Sequence, residues 1–143
     1  MVGAGAMAMA FADTILKEQP NTTITLVDKR PAPGGHWLDA YPYVRLHQPA
    51  SFYGVNSEKL ETHSGDLSSK QEILAYYSRV LYRMENTGRV KFFGMMEHKG
   101  NGKLRSIVDP NKKFKFRIKK RLVDSTYMKV EVPSTTQPNF EVS

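Results

Sequence analysis

A glycine-rich turn near the N-terminus constrains the fold of this chain more than any other feature. It reads Gly3-Ala4-Gly5-Ala6-Met7-Ala8 and runs into a stretch of good helix formers that ends before Pro20. The spacing matches G-x-G-x-x-[G/A], in which the glycines permit a tight turn and a close approach to the backbone. Because the first turn of a helix carries N–H groups without intrahelical acceptors, we expect a phosphate-binding turn here. Its candidate contacts are Gly3, Ala4, Gly5, Ala6 and Met7.

An acidic residue ends the next predicted element. Residues 22–28 are β-branched and apolar and predict a strand, with Asp28 at its end, 25 residues after Gly3. A carboxylate at this position can accept hydrogen bonds from the ribose hydroxyls of a dinucleotide. Turn, helix and acidic strand end together predict a Rossmann-like β-α-β unit, with Asp28 and the adjacent Lys29 as candidate cofactor contacts.

The residues after Asp28 indicate which dinucleotide is bound. The segment Asp28-Lys29-Arg30-Pro31-Ala32-Pro33-Gly34-Gly35-His36-Trp37 resembles flavin-containing monooxygenases, in which an acidic ribose ligand precedes a Gly-Gly-x-Trp turn against FAD. Leu46-His47-Gln48-Pro49 is similar to a second stretch of that family, although His47 and Gln48 replace its usual Thr and Asn. The resemblance implies FAD as cofactor. It also implies flavin-side contacts from Gly35, His36, Trp37, His47 and Gln48.

The later elements follow in the order that this resemblance implies. A capping box and apolar residues at helical intervals predict a helix over 70–85, followed by a strand over 90–95. Alternating stretches at 104–108, 114–118 and 121–125 predict a small antiparallel meander over about 100–122. The predicted class is α/β: an incomplete Rossmann-like FAD-binding domain with this meander, spanning 1–132, and a linker-like tail over 133–143.

The predicted domain lacks parts that a dinucleotide fold requires. Only Met1 and Val2 precede Gly3, where a central strand of about five residues is expected, so we expect unpaired backbone edges and a distorted phosphate turn. No second glycine-rich unit for NADPH follows Tyr127. These features predict a fragment, with NADPH bound only by the full-length parent and a second chain or missing segments completing the sheet.

Two functions remain open at this stage. The first is the FAD-binding portion of a flavin-dependent, NAD(P)H-linked oxidoreductase or monooxygenase that is not active alone. The alternative is a noncatalytic remnant or subunit that binds an adenine nucleotide or a partner protein. No catalytic residue is assigned, although His36 and His47 have the chemistry to donate a proton near a flavin. The chain has no cysteine and four scattered histidines, so no metal site is predicted.

The net charge of +7 is concentrated in Lys112–Arg121, where basic and apolar residues alternate. This period of two favours the solvated face of a half-buried strand, with Phe114, Phe116 and Ile118 facing the core. The competing interpretation is a patch for nucleic acid or an acidic partner. We favour the first, and expect a cytoplasmic protein with neither nucleic acid nor membrane as a partner.

Overall fold

The computed structural model describes residues 1–61 and 67–128, so the predicted tail over 133–143 lies outside the described residues. The helices are α1 (Ala6–Glu18) and α2 (Lys70–Asn86). The strands are β1 (Ile24–Val27), β2 (Gly54–Val55), β3 (Glu58–Lys59), β4 (Val90–Phe93), β5 (Met96–His98), β6 (Lys103–Ser106) and β7 (Lys113–Lys115). The described residues between β1 and α2 are mostly irregular, as predicted, with 3₁₀ turns at Gly35–Leu38 and Ala50–Phe52.

Local sequence signals account for helix α2. The Ser69 hydroxyl accepts the N–H of Glu72 at 3.3 Å, and the Ser69 N–H donates to the Glu72 carboxylate at 2.7 Å. This reciprocal capping box fixes the first turn of the helix. The buried side chains of α2 recur at helical spacing from Ile73 to Met84, which gives the helix one apolar face. The predicted helix is therefore confirmed to within a residue.

The centre of the fold is a parallel sheet. Strand β1 pairs in parallel with β4, from Ile24 opposite Val90 to Val27 opposite Phe93. On the other side of β1, Val2 forms parallel bridges to both Val27 and Asp124. The order across the sheet is therefore Asp124, Val2, β1, β4, and helices α1 and α2 are the crossovers between these parallel elements.

The prediction of unpaired edges beside a missing first strand needs correction. Val2 donates its N–H to Val123 at 2.8 Å and accepts from Ser125 at 2.9 Å, while Met1 accepts from Val27 at 3.0 Å. The amino group of Met1 donates to the carbonyl of Thr25 at 2.6 Å, and its partial burial lowers its pKa. These two residues therefore supply the backbone ladder next to the glycine-rich turn.

The two faces of the sheet are covered by different layers. Ile24 and Leu26 of β1 pack with the apolar sides of α1 and α2 in the larger core cluster. Val27 points to the opposite face, where Met96 and Leu104 of the small antiparallel sheet form a second cluster with it. Because side chains alternate between the two faces of a strand, β1 contacts the helices on one face and the small antiparallel sheet on the other.

The meander differs from its predicted form. Its strands are β5, β6 and β7, in the order β5-β6-β7, whereas residues 121–125 leave it and run beside Val2. Phe116 packs on Phe93 with ring centroids 5.1 Å apart, as a core residue should. The core assignment of Phe114 and Ile118 is wrong, because they are 48% and 40% exposed. Strand β7 lies at the edge of the meander.

Among the described residues, neither α1 nor α2 is long and apolar enough to cross a bilayer.

Candidate functional site

The glycine-rich turn is held between the end of β1 and the following loop. Gly3 has φ of +99°, a left-handed conformation that glycine adopts at little cost. The Ala4 N–H donates to the Asp28 carboxylate at 2.6 Å, and the Ala4 carbonyl accepts from the N–H of Gly34 at 2.9 Å. The motif glycines and the Gly-Gly turn, 30 residues apart in sequence, are therefore one structural unit.

Gly5 leaves the start of α1 open. It is the N-cap of the helix and makes no side-chain cap hydrogen bond, and no acidic residue lies in the first turn. Gly5 and Ala6 are half-buried and Met7 is 70% exposed. Because the first N–H groups of a helix have no intrahelical acceptor and lie at the positive end of its dipole, this terminus can accept an anionic group from solvent.

Gly35 approaches Gly5 more closely than any side chain would allow. A β-carbon on Gly35 would lie 2.9 Å from the Gly5 Cα, and Gly35 has φ of +58°. A β-carbon on Gly5 would lie 3.5 Å from the Gly35 Cα, which is ordinary contact. The contact therefore requires glycine at position 35, whereas position 5 has room for a β-carbon.

Asp28 is buried, at 7% exposure, and receives two backbone donors. One carboxylate oxygen accepts from Ala4 and the other from the N–H of Arg30 at 2.9 Å. A carboxylate oxygen has two lone pairs, so each still has capacity for another donor such as a sugar hydroxyl. Asp28 thus orders the turn and remains able to accept hydrogen bonds.

The 3₁₀ turn at Gly35–Leu38 is fixed by an ion pair and a lysine. Arg30 donates to the Asp39 carboxylate through Nε at 2.8 Å and through a second nitrogen. Lys70 at the start of α2 donates to the carbonyls of Leu38 and Ala40 at 3.0 and 2.6 Å. The turn beside the glycine motif is therefore tied to both β1 and α2.

Within this turn, His36 and Trp37 occupy different environments. The exposed His36 ring stacks on Trp37 with centroids 5.6 Å apart. Desolvation lowers the pKa of His36, nearby Arg30 lowers it further, and Asp39 raises it. Trp37 is 7% exposed and donates from Nε1 to the Tyr53 hydroxyl at 2.8 Å. The indole of Trp37 therefore packs in the core while lying two residues from Gly35 in the same turn.

The other predicted flavin-side residues lie on a separate segment. Leu46 is buried and donates its N–H to the carbonyl of Ser68 at 2.7 Å. It anchors the two residues that follow, of which His47 is exposed and Gln48 half-buried. The contacts predicted for Gly35, His36, Trp37, His47 and Gln48 with a flavin stay predictions.

An open cavity of about 330 Å³ lies beside Lys29, and sequence reasoning identified only Lys29 of its lining. The lining residues are Lys29, Glu97, Arg105, Ser106, Ile107 and Pro110. Glu97 pairs with Lys29 at 3.7 Å, and hydrogen bonds from Lys99 and Arg105 lower the pKa of Glu97 to about 2. Because Lys29 directly follows Asp28, the cavity adjoins the end of β1.

Across residues 1–61 and 67–128, no three His, Cys, Asp or Glu side chains gather in a way that could hold an ion.

Comparisons with known proteins place this geometry in context. No family model matches the chain. Its sequence is 38% identical to the uncharacterized protein Rv2000 of Mycobacterium tuberculosis and to the uncharacterized protein Mb2023 of Mycobacterium bovis, over the whole chain. The chain spans 28% of the length of these relatives.

Solved structures share the fold at low identity. A variant of a flavin monooxygenase from Stenotrophomonas maltophilia aligns over 78% of this chain and 33% of its own, with 17% identity and a TM-score of 0.57. The bacillithiol disulfide reductase of Staphylococcus aureus aligns over 72% of this chain and 31% of its own, with 12% identity and a TM-score of 0.56. The chain therefore has a flavoprotein-like fold that corresponds to about a third of each neighbour.

Proposed function

We propose that this chain forms the FAD-binding part of a flavin-dependent, NAD(P)H-linked oxidoreductase of the monooxygenase type. The observation that carries the proposal is the junction of Gly5, Gly35 and Asp28, which brings an open helix N-terminus, a Gly-Gly turn and a buried carboxylate together. The likeness of the fold to a flavin monooxygenase supports it. NADPH would bind to a region of the parent enzyme outside this chain.

The start of α1 would hold the pyrophosphate. Gly5 presents no side chain there, so a phosphate can approach the backbone N–H groups of Ala6 and Met7. The helix dipole and these donors favour a negative charge at this place. Gly3 and Ala4 would shape the turn, since both are buried and bonded to the end of β1.

The adenosine would lie at the end of β1. Asp28 would accept from the ribose hydroxyls with the lone pairs that Ala4 and Arg30 leave free. The adjoining cavity at Lys29 offers Ile107 and Pro110 as apolar contacts and Ser106 as a polar one for an adenine ring. Its volume of about 330 Å³ falls in the range of small-molecule sites.

The flavin ring would extend from Gly35 and His36 toward the segment that carries His47 and Gln48. When bound, FAD supplies two-electron redox chemistry that no side chain of this protein provides. Gly35 would let the cofactor pass close to the backbone, and Trp37 would form a rigid wall held by Tyr53. His36, His47 and Gln48 would supply polar contacts.

The substitution Gly5→Ala tests the proposal. Its β-carbon makes only an ordinary contact with Gly35 and its φ of −81° suits alanine, so the variant should fold. The added methyl group nevertheless occupies the space through which a phosphate reaches α1. We expect FAD affinity to fall at least about tenfold, as for loss of a charged hydrogen bond. Unchanged affinity in titrations of flavin fluorescence would contradict the proposal.

The substitution Asp28→Asn gives an independent test. It retains the shape of the side chain but weakens acceptance from ribose hydroxyls, so FAD affinity should fall by a similar factor. The matched control is Glu18→Gln, which removes an exposed carboxylate at the other end of α1. Circular dichroism identifies loss of fold, because Asp28 also orders the turn through Ala4.

A second candidate function is binding of an adenine nucleotide without turnover. It is favoured because the hydrogen bonds that order the site cluster where the ADP half of FAD would bind. Asp28 and the start of α1 belong to that half, whereas exposed His47 lies on a separate segment. Equal affinities for ADP and FAD would favour this alternative. Affinity for FAD well above that for ADP would favour the flavoprotein function.

A further inference from the structure

The outer side of the meander has an unusual charge. Residues 99–121 contain ten lysines and arginines and one aspartate, a net charge of +9, whereas the whole chain carries +7. All ten basic side chains are exposed. The remainder of the chain is therefore slightly acidic, and the meander accounts for the basic character of the protein.

The register of the meander places like charges opposite each other. Lys103 pairs with Lys115 and Arg105 with Lys113, and directly opposed residues of antiparallel strands share a face. Lys99, two residues after Glu97, extends the same face. We call Lys99, Lys103, Arg105, Lys113 and Lys115 the basic face. Glu97 is bonded to Lys99 and Arg105, which leaves Lys103 opposite Lys115 as the cross-strand pair whose repulsion an external anion would relieve.

Exposed apolar side chains border this basic face. Val108, in the turn between β6 and β7, is 74% exposed, and Ile107 beside it is 43% exposed. Phe114 of β7 is 48% exposed but pairs with Leu104, so it lies on the face of the meander opposite Lys113 and Lys115. Ile118, after β7, is 40% exposed. The sequence-based reason for dismissing a docking surface was that Phe114, Phe116 and Ile118 face the core. Phe116 does pack on Phe93, but the exposure of Phe114 and Ile118 removes that reason for the other two.

We propose that the basic face and the apolar turn at Val108 dock on an anionic phospholipid surface. This goes beyond the proposed cofactor site. Cationic side chains beside exposed apolar ones match acidic headgroups beside the acyl boundary, and the two contributions together give stable peripheral binding. Nucleic acid fits less well, because the basic face carries no aromatic ring on which a base could stack. An anionic bilayer uses both the charge and the aliphatic residues.

The test is sedimentation of the chain with vesicles of phosphatidylcholine, with and without phosphatidylserine. Binding is expected only with phosphatidylserine and should weaken as salt is raised. The double substitution Lys113→Gln with Lys115→Gln should weaken binding about 25-fold, at roughly a fivefold effect for each lysine near the surface. The matched control is Lys17→Gln with Lys59→Gln, which removes two exposed lysines from α1 and β3 and should leave binding nearly unchanged.

The substitution Val108→Ser separates lipid from nucleic acid. It removes an exposed apolar side chain without changing charge, so vesicle binding should fall up to about tenfold while any binding to a DNA duplex stays unchanged. The proposal is overturned if the chain binds DNA but not vesicles, or binds neither. It is also overturned if the control pair weakens vesicle binding as much as Lys113→Gln with Lys115→Gln. Flavin affinity is measured in parallel. Lys113, Lys115 and Val108 do not line the cavity beside Lys29, so their substitution should leave flavin affinity unchanged.

Discussion

The backbones of Gly5 and Gly35 touch: a β-carbon on Gly35 would lie 2.9 Å from the Gly5 Cα. The two residues belong to turns that are 30 positions apart, and the bond from the Gly34 N–H to Ala4 holds these turns together. The contact explains why glycine stands at position 35. The two positions can be distinguished by experiment, because a β-carbon fits at position 5 but not at position 35.

The substitution Gly35→Ala should destabilise the protein. The φ of +58° is unfavourable for alanine, and its β-carbon would meet backbone rather than a flexible side chain. We expect a loss of about 1–3 kcal/mol, measured as a shift in the urea unfolding transition. Gly5→Ala is the matched control and should cost less than about 1 kcal/mol. Equal losses for the two variants would contradict the described contact.

The Asp13 carboxylate should contribute strongly to stability. It is 4% exposed and accepts from Arg83 at 3.1 Å, from the Ser57 N–H at 3.0 Å and from the Ser57 hydroxyl. These bonds join α1, α2 and the β2–β3 hairpin. Asp13→Asn should lower the free energy of unfolding by about 2 kcal/mol, because a buried charged acceptor is lost.

A surface pair in the same region provides the comparison for Asp13. Arg79 donates to Glu58 at 2.6 Å but its side chain is 57% exposed. Arg79→Gln should therefore cost less than about 1 kcal/mol in the same urea experiment. A larger loss from Arg79→Gln than from Asp13→Asn would be inconsistent with the burial of Asp13.

The imidazole of His36 should titrate below its usual pKa of about 6.5. Desolvation and then Arg30 lower this pKa, and Asp39 opposes them. Arg30→Gln should raise it and Asp39→Asn should lower it further, as measured by NMR of the ring protons. Because the folded state binds the proton less readily than the unfolded state, His36 favours folding above about pH 6.5 and loses that contribution as the pH falls through its folded pKa. A midpoint above 6.5 would contradict the described surroundings.

The carboxyl group of Glu97 should remain ionised in acid. Hydrogen bonds from Lys99 and Arg105 lower its pKa to about 2. Its contribution to folding is thus present above the unfolded pKa of about 4.3 and is lost as the pH falls toward 2. Carbon NMR of the carboxyl group measures this midpoint, and Lys99→Gln should raise it. An unchanged midpoint in that variant would show that the Lys99 contact is absent in solution.

Local signals made part of this fold predictable. The capping box at Ser69 and the helical spacing after it determine α2, and the glycine motif determines the start of α1. The alternation of residues in a strand does not reveal whether that strand lies at the edge of a sheet, because its neighbours are set by tertiary pairing. Phe114 was therefore predicted to be a core residue, although β7 lies at an edge and leaves it exposed. The bonds made by Val2 were missed for the same reason, since strand length alone does not reveal pairing on both sides.

The candidate site was predictable to a similar extent. Gly5, Asp28 and Gly35 follow from motif spacing, and the structure brings them together. The cavity beside Lys29 was not predictable, because Glu97 and Arg105 become neighbours only through the β5–β6 register. No local pattern in either strand indicates that pairing.

The most direct test of the central claim compares the binding of FAD, ADP and FMN to the chain, by calorimetry and by flavin fluorescence. FMN lacks the adenosine and the second phosphate, whereas the described contacts of Asp28 and the start of α1 suit that half of FAD. The account predicts binding of FAD and weaker binding of ADP, with Gly5→Ala reducing both, and little binding of FMN. Binding of FMN as tight as that of FAD, with none of ADP, would contradict it.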